Sequence, residues 1–231
     1  MAQVARWALA AGQVAFSCRA LEPAARLYRT ALTHLPPEAR ASRLQALEGL
    51  AQALKDLERF DEAEGLFRTL VREATEASAA RSLVKGLSGL ARVHFRKFQY
   101  HRAEQLSRRA LKIARDLVDP AIEGDVLWVL AMNLQSQSRL EEARAVYSEI
   151  VALRQTTQDR SGEARAWYNM AFICHSMRRF SEVRDHLRQA EMLSRETADL
   201  YRLSNTLSAL GATEIDRGDF LQARQLLQEA L

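Results

Sequence analysis

Arg139-Leu140-Glu141-Glu142-Ala143 is one copy of a phrase that returns down the chain. It also reads Arg59-Phe60-Asp61-Glu62-Ala63, Gln99-Tyr100-His101-Arg102-Ala103, Arg179-Phe180-Ser181-Glu182-Val183 and Asp219-Phe220-Leu221-Gln222-Ala223, at one constant step. A weaker copy, Ala20-Leu21-Glu22-Pro23-Ala24, precedes the first by a step shorter by one. A fixed period of about 40 residues marks a stacked repeat and not a closed globular domain. Such stacks offer long surfaces, and those surfaces usually bind.

Asp119 to Gln158 shows one whole unit. Asp119 before Pro120 is a favourable N-cap and first helical residue. Val126, Leu127, Leu130, Ala131 and Leu134 then fall on one helix face. Gln137-Ser138-Arg139 interrupts that spacing, and a second helix opens near Glu141. Glu141 and Glu142 lie in its first turn, where carboxylates suit the helix dipole. Asp159 and Asp199 restart the cycle at the same step as the phrase. Each unit therefore reads as two antiparallel helices joined by a short turn. Small residues recur in phase, with Ala63, Ala103, Ala143 and Ala223 in the second helices and Ala51, Ala91, Ala131, Ala171 and Gly211 in the first. Close helix crossings require small side chains there.

Composition agrees with an all-α chain. Of 231 residues, 48% are apolar, and only 9 are Gly and 4 Pro, so long helices are rarely interrupted. The formal net charge of +4 comes from interleaved charges, the pattern of solvated helix faces. Cys18 and Cys174 are too far apart in a rod-like stack to bridge, and so few cysteines suit a reducing cytoplasm. Gly12 and Gln13 break the apolar run after Arg6, which argues against a signal peptide. No stretch approaches the ~20 apolar residues of a membrane span.

These units resemble the tetratricopeptide repeat. Leu47, Leu50, Ala51, Leu54, Ala63 and Phe67 fill its pattern, as do Leu127, Leu130, Ala131, Leu134, Ala143 and Tyr147. Gly12, Ala24, Tyr28, Ala31 and Pro36 supply the first copy. The common repeat is about 34 residues long, so these hairpins are longer. The resemblance implies a right-handed α-solenoid of about six helix-turn-helix hairpins forming a single domain over residues 1–231. Its units would be 1–38, 39–78, 79–118, 119–158, 159–198 and an incomplete 199–231. It also implies a non-catalytic adaptor that binds a peptide or protein segment on a concave surface lined by the first helices. The sensing arm of a transcription regulator or kinase is the alternative, and an RNA-binding solenoid is a third reading.

Carried over in phase, that surface holds Phe95, Trp128, Met132, Tyr168, Phe172 and His175 at its centre, with Lys85, Arg92, Arg96 and Arg165 flanking them. Aromatic anchors beside arginine are typical of interface hot spots. An amphipathic or acidic peptide would suit them. The Lys and Asn pattern with which chaperone-binding members hold a C-terminal carboxylate is replaced here by aromatic residues and methionine.

No nucleotide-binding G-x-x-x-x-G-K-S/T or G-x-G-x-x-G and no H-E-x-x-H occurs in the sequence. None of the five histidines pairs with a plausible third metal ligand by spacing, so neither metal nor cofactor is expected. Arg108, Arg109, Lys112 and Arg115 form a basic stripe on a second helix, with acidic residues interspersed. A solvated helix face explains it better than phosphate contact, and neither nucleic acid nor membrane is an expected partner. The last unit carries Phe220, Leu226, Leu227 and Leu231 on little second helix. Uncovered, these residues predict self-association through the C-terminal end, most simply as a symmetric dimer.

Overall fold

The computed structural model describes residues 2–36 and 38–231, apart from the side chain of Ala2. Among these residues there are twelve α-helices and no strand. They form six hairpins: α1 (Ala2–Ser17) with α2 (Leu21–His34), α3 (Arg40–Asp56) with α4 (Phe60–Glu76), α5 (Ala80–Arg96) with α6 (Tyr100–Asp116), α7 (Pro120–Ser136) with α8 (Leu140–Thr156), α9 (Arg160–Ser176) with α10 (Phe180–Glu196), and α11 (Leu200–Asp216) with α12 (Phe220–Glu229). The fold is an all-α solenoid of repeated helical hairpins. The contacts divide it into two compact units, residues 1–129 and 130–231.

The helices from α3 to α11 are all of one length, and so are the junctions that follow them. One device ends each of them. The middle junction residue takes a left-handed conformation, as at Glu58 (φ 61°), Phe98 (φ 59°), Val118 (φ 51°) and Gln158 (φ 56°). At the junctions other than Val118, the amide after it then reaches back to a carbonyl in the last turn of the helix. Arg59 N–H donates to the Leu54 carbonyl at 2.9 Å and Arg179 N–H to the Cys174 carbonyl at 2.8 Å. This satisfies carbonyls that a helix end leaves unpaired. Only Gly218 (φ 82°) supplies the residue that favours such geometry. Helix starts use aspartate where it is available: Asp159 accepts from Gly162 N–H at 2.8 Å and Asp199 from Arg202 N–H at 3.0 Å.

In residues 1–129, α1 packs on α2 and α3, and α3 on α4 and α5. Large residues of second helices press on glycines of the next hairpin. A Cβ at Gly49 would fall into the Tyr28 ring, and one at Gly89 into the Phe67 ring. One repeat further on, Ser107 and Val129 hold the equivalent places with the sizes reversed, and both are buried. Volume is thus shared between the two positions, as close packing requires. Ion pairs link successive hairpins along the turns, including Lys97 to Asp61 at 2.6 Å.

In residues 130–231, α9 packs on α8 and α10, α10 on α11, and α11 on α12. Ala131, Ala143, Ala171 and Gly211 are all buried, as their phase requires. A Cβ on Gly211 would come within 2.7 Å of Leu227. Arg179 reaches Glu141 at 2.6 Å, and Arg144 reaches Glu182 at 2.9 Å, repeating the ion pairs of the other unit.

Candidate functional site: the faces of the first helices

The repeat phase brings equivalent positions of α3, α5 and α7 side by side in residues 1–129. A cleft of about 250 Å³ lies between them, walled by Glu48, Gln52, Lys85, Ser88, Arg92 and Asp125 among others. Lys85 Nζ lies 2.8 Å from Glu48, so its charge is largely answered within the fold. Arg92 makes no ion pair among the described residues. Lys55 stands close enough to feel it. Burial pushes the Lys55 ammonium below its usual range, Asp56 at 2.9 Å pulls it back up, and Arg92 and Arg19 lower it again. Arg92 thus shares the cleft with one other cation, Lys85, and with the carboxylates of Glu48 and Asp125.

Three other expected residues of this unit do not wall the cleft. Phe95 is half-buried against Tyr100 of α6, with ring centroids 5.8 Å apart. Arg96 turns to the hairpin junction, where it pairs with Glu58 and lies 5.3 Å from the Phe60 ring centre. Trp128 is half-buried outside the cleft walls. The basic flank expected from the sequence is thereby reduced, since Lys85 and Arg96 both have carboxylates and Arg92 is left as the available cation.

Residues 130–231 present a different surface. Tyr168, Phe172 and His175 of α9 join Val183 and Leu187 of α10 and Ala209, Ala212, Thr213 and Asp216 of α11 around an apolar hollow of about 200 Å³. Phe172 is 56% exposed, an unusual amount for an aromatic ring over an apolar floor. The His175 ring is held edge-on against Phe180 at 5.6 Å. Met132 and Arg165 are half-buried and outside the walls of this hollow. Sequence phase indicated the α9 residues. It missed Val183 and Leu187, which belong to a second helix and show only where α9 leaves a gap over them.

The spacing of histidines gave no sign of a metal-like cluster, and here the structure adds a correction. Cys174, Glu182 and His186 converge with their ligand atoms within 4.8 Å of one another. The pairing of α9 with α10 makes this neighbourhood. Arg144 holds the Glu182 carboxylate at 2.9 Å, so a guanidinium is already the cation of the cluster. His186 stacks on Trp167 at 5.1 Å, and burial lowers its pKa. Burial and then Glu182 push the Cys174 thiol up, which keeps it protonated and unreactive at neutral pH. On the basic stripe, Arg108 pairs with Glu104 at 2.8 Å and Arg115 with Glu123 at 3.1 Å. No helix among the described residues is long and apolar enough to cross a membrane.

Comparison with known proteins agrees with this architecture. The tetratricopeptide repeat profile matches residues 86–121, which take in much of α5, all of α6 and the start of α7. No curated protein matches the chain in sequence. Among solved structures it is similar to BtubC (BKLC) from P. vanneervenii, with TM-score 0.78 and 21% identity over 92% of this chain and 87% of that one. It is similar to a signal transduction ATPase with numerous domains and a tetratricopeptide repeat sensor from Pyrococcus horikoshii, with TM-score 0.84 and 14% identity over 96% of this chain and 34% of that one. It is similar as well to aspartyl phosphate phosphatase F from Bacillus subtilis, with TM-score 0.78 and 13% identity over 98% of this chain and 69% of that one. At such identities the likeness is one of fold. The profile match to one hairpin, the return of that hairpin at a constant step and the shared fold make the chain an all-α solenoid of tetratricopeptide-like hairpins.

Proposed function

We propose that this chain is a non-catalytic interaction scaffold that holds a peptide or protein segment on its first-helix faces. The observation that carries this reading is the hollow around Phe172: an exposed ring over an apolar floor, with small residues opposite. Such a surface gains by covering itself with an apolar side chain. The Arg92 cleft of the other unit suits an acidic group. A segment held at the hollow would present an aliphatic or aromatic anchor, and one held at the cleft an acidic group. The lining of the hollow is mostly apolar, which is why we read it as binding without turnover. Two free cysteines, one of them exposed at Cys18, suit a cytoplasmic setting.

A second reading has its own observation. This chain corresponds to 34% of a signal transduction ATPase that carries a tetratricopeptide repeat sensor. In that reading the same faces would report ligand capture to attached domains.

Affinity capture with mass spectrometry tests the scaffold reading. Proteins retained by the wild type should be lost by Phe172→Asp and by Arg92→Glu, at unchanged helicity. Equal retention by all three chains would place binding elsewhere on the surface.

A further inference from the structure

We propose that the Cys174, Glu182 and His186 cluster is a site for a thiophilic divalent cation of the zinc type, which binds there in exchange for the Arg144 guanidinium. Glu182 and His186 lie one turn apart on α10, so they project from one face of it. Cys174 approaches from the last turn of α9. Cys174 Sγ is 3.8 Å from Glu182 Oε2, and one ligand atom from each of the three residues lies within 4.8 Å of the other two. A tetrahedral zinc-type ion, with bonds of roughly 2.0–2.3 Å, holds its ligand atoms about 3.5 Å apart. The sulfur and the carboxylate are almost at that separation. The imidazole must close by no more than about 1.3 Å, from 4.8 Å to about 3.5 Å.

Two observations set the cluster apart from an ordinary ion pair. His186 Nε2 is buried and has no hydrogen-bond partner among the described residues. Buried polar atoms normally find a partner, and a neutral imidazole is the commonest metal ligand. The ring is already held in place, stacked on Trp167 of α9 at 5.1 Å with 27° between the planes. Charge balance is the second observation. Arg144 neutralises Glu182 beside a protonated thiol, and a divalent ion would be neutralised by Glu182 and a thiolate together. The exchange sends the thiol proton to water, since coordination deprotonates a thiol outright. It sends Arg144 toward Glu141, one turn back on α8 and 4.0 Å from its Nη1. Arg179 stays 3.7 Å from Glu182 Oε1, which leaves Oε2 as the oxygen that changes partner. Glu182 is 34% exposed while Cys174 is fully buried, so the ion enters by the carboxylate and water completes its shell there. Sulfur and nitrogen donors select zinc-type ions over magnesium and calcium, which require oxygen. Bound there, the ion ties the end of α9 to the first turns of α10, whose Val183 and Leu187 wall the Phe172 hollow.

The test is titration of the full chain with Co²⁺, an optical stand-in for Zn²⁺. Cys18→Ser, at an exposed residue, is the background, so that only Cys174 can give a thiolate signal. One equivalent should raise a thiolate-to-cobalt charge-transfer band, and Zn²⁺ should abolish it. Cys174→Ser should lose the band. His186→Gln should weaken binding at least about tenfold. Arg144→Gln should tighten it, because the resident cation is gone. Circular dichroism verifies that each variant stays helical. No band in the Cys18→Ser chain overturns the proposal, whatever the variants do. So does a band that survives Cys174→Ser, or binding that His186→Gln leaves unchanged. Weaker or unchanged binding in Arg144→Gln refutes the exchange with the guanidinium.

Discussion

Gly89→Ala adds one methyl group at the point where α5 meets α4. Its Cβ would fall nearer than 3.0 Å to three atoms of the Phe67 ring. Phe67 is fully buried and has no open space to turn into. The clash should therefore cost about 3 kcal/mol, the upper end of overpacking. Alanine offsets about 1 kcal/mol of this, because glycine is the poorer helix former. The net expectation is a loss of about 2 kcal/mol. Gly65 provides an internal control on α4, since a Cβ there meets nothing within 4 Å. Gly65→Ala should stabilise by about 1 kcal/mol, so the two identical changes should differ by about 3 kcal/mol. Phe67→Leu should convert Gly89→Ala from harmful to near neutral, a coupling of about 2 kcal/mol between touching residues. Urea titration followed by circular dichroism measures the wild type, the three single variants and the Phe67→Leu/Gly89→Ala double variant, with the slope checked for constancy. Hydrogen exchange should place the damage in α3 to α6, because repeat stability is mainly a nearest-neighbour property. If Gly89→Ala raises the midpoint as Gly65→Ala does, the reasoning from ring contact is wrong.

Ala131→Leu and Ala143→Leu, both at fully buried positions, should each cost roughly 1–3 kcal/mol in thermal or urea melts. Val118→Gly should stabilise by about 1 kcal/mol, since a β-branched residue is held at φ 51°, and an unchanged midpoint would count against that strain. Asp159→Ala removes a helix cap and the 3.0 Å partner of the buried Arg154, and should cost at least about 1–2 kcal/mol by the same assay. Asp119 is held below the usual carboxylate range, first by the Ile122 amide, with Arg81 contributing. A lowered folded pKa gives stability that is present above the unfolded value and lost as pH falls through the folded one. Asp119→Asn should therefore flatten the acid limb of the melting profile.

The fold was legible because the repeat phase imposes the same physical demands in each unit. Ala131 and Ala143 show it: small residues in phase are buried where helices cross. The turn conformation was not legible. Glu58, Phe98 and Val118 are not residues that announce a left-handed backbone, and the packed helices on either side impose it. The site was half legible. Phase put Lys85 and Arg92 on one cleft and Tyr168, Phe172 and His175 on one hollow. It could not show that Lys85 is answered by Glu48 or that Arg96 turns to Glu58. Those ion pairs join different hairpins, and a long side chain can reach either way from the same Cα. Ser107 and Val129 were opaque for a related reason, since each has an unremarkable size until the other is considered.

Helices that pack together are one or two places apart in the chain, such as α1 on α2 and α3 or α10 on α9 and α11. The entropy of closing a loop grows with the length closed, and here every packed pair closes a short one. Topologies of this kind fold in microseconds to milliseconds. Synthesis proceeds at about 5–20 residues per second, far slower than that. A hairpin leaving the ribosome therefore meets its predecessor already folded and docks before the next emerges. The order of assembly follows the order of the sequence, and the apolar outer face of each new hairpin waits only for the next repeat, about 40 residues later.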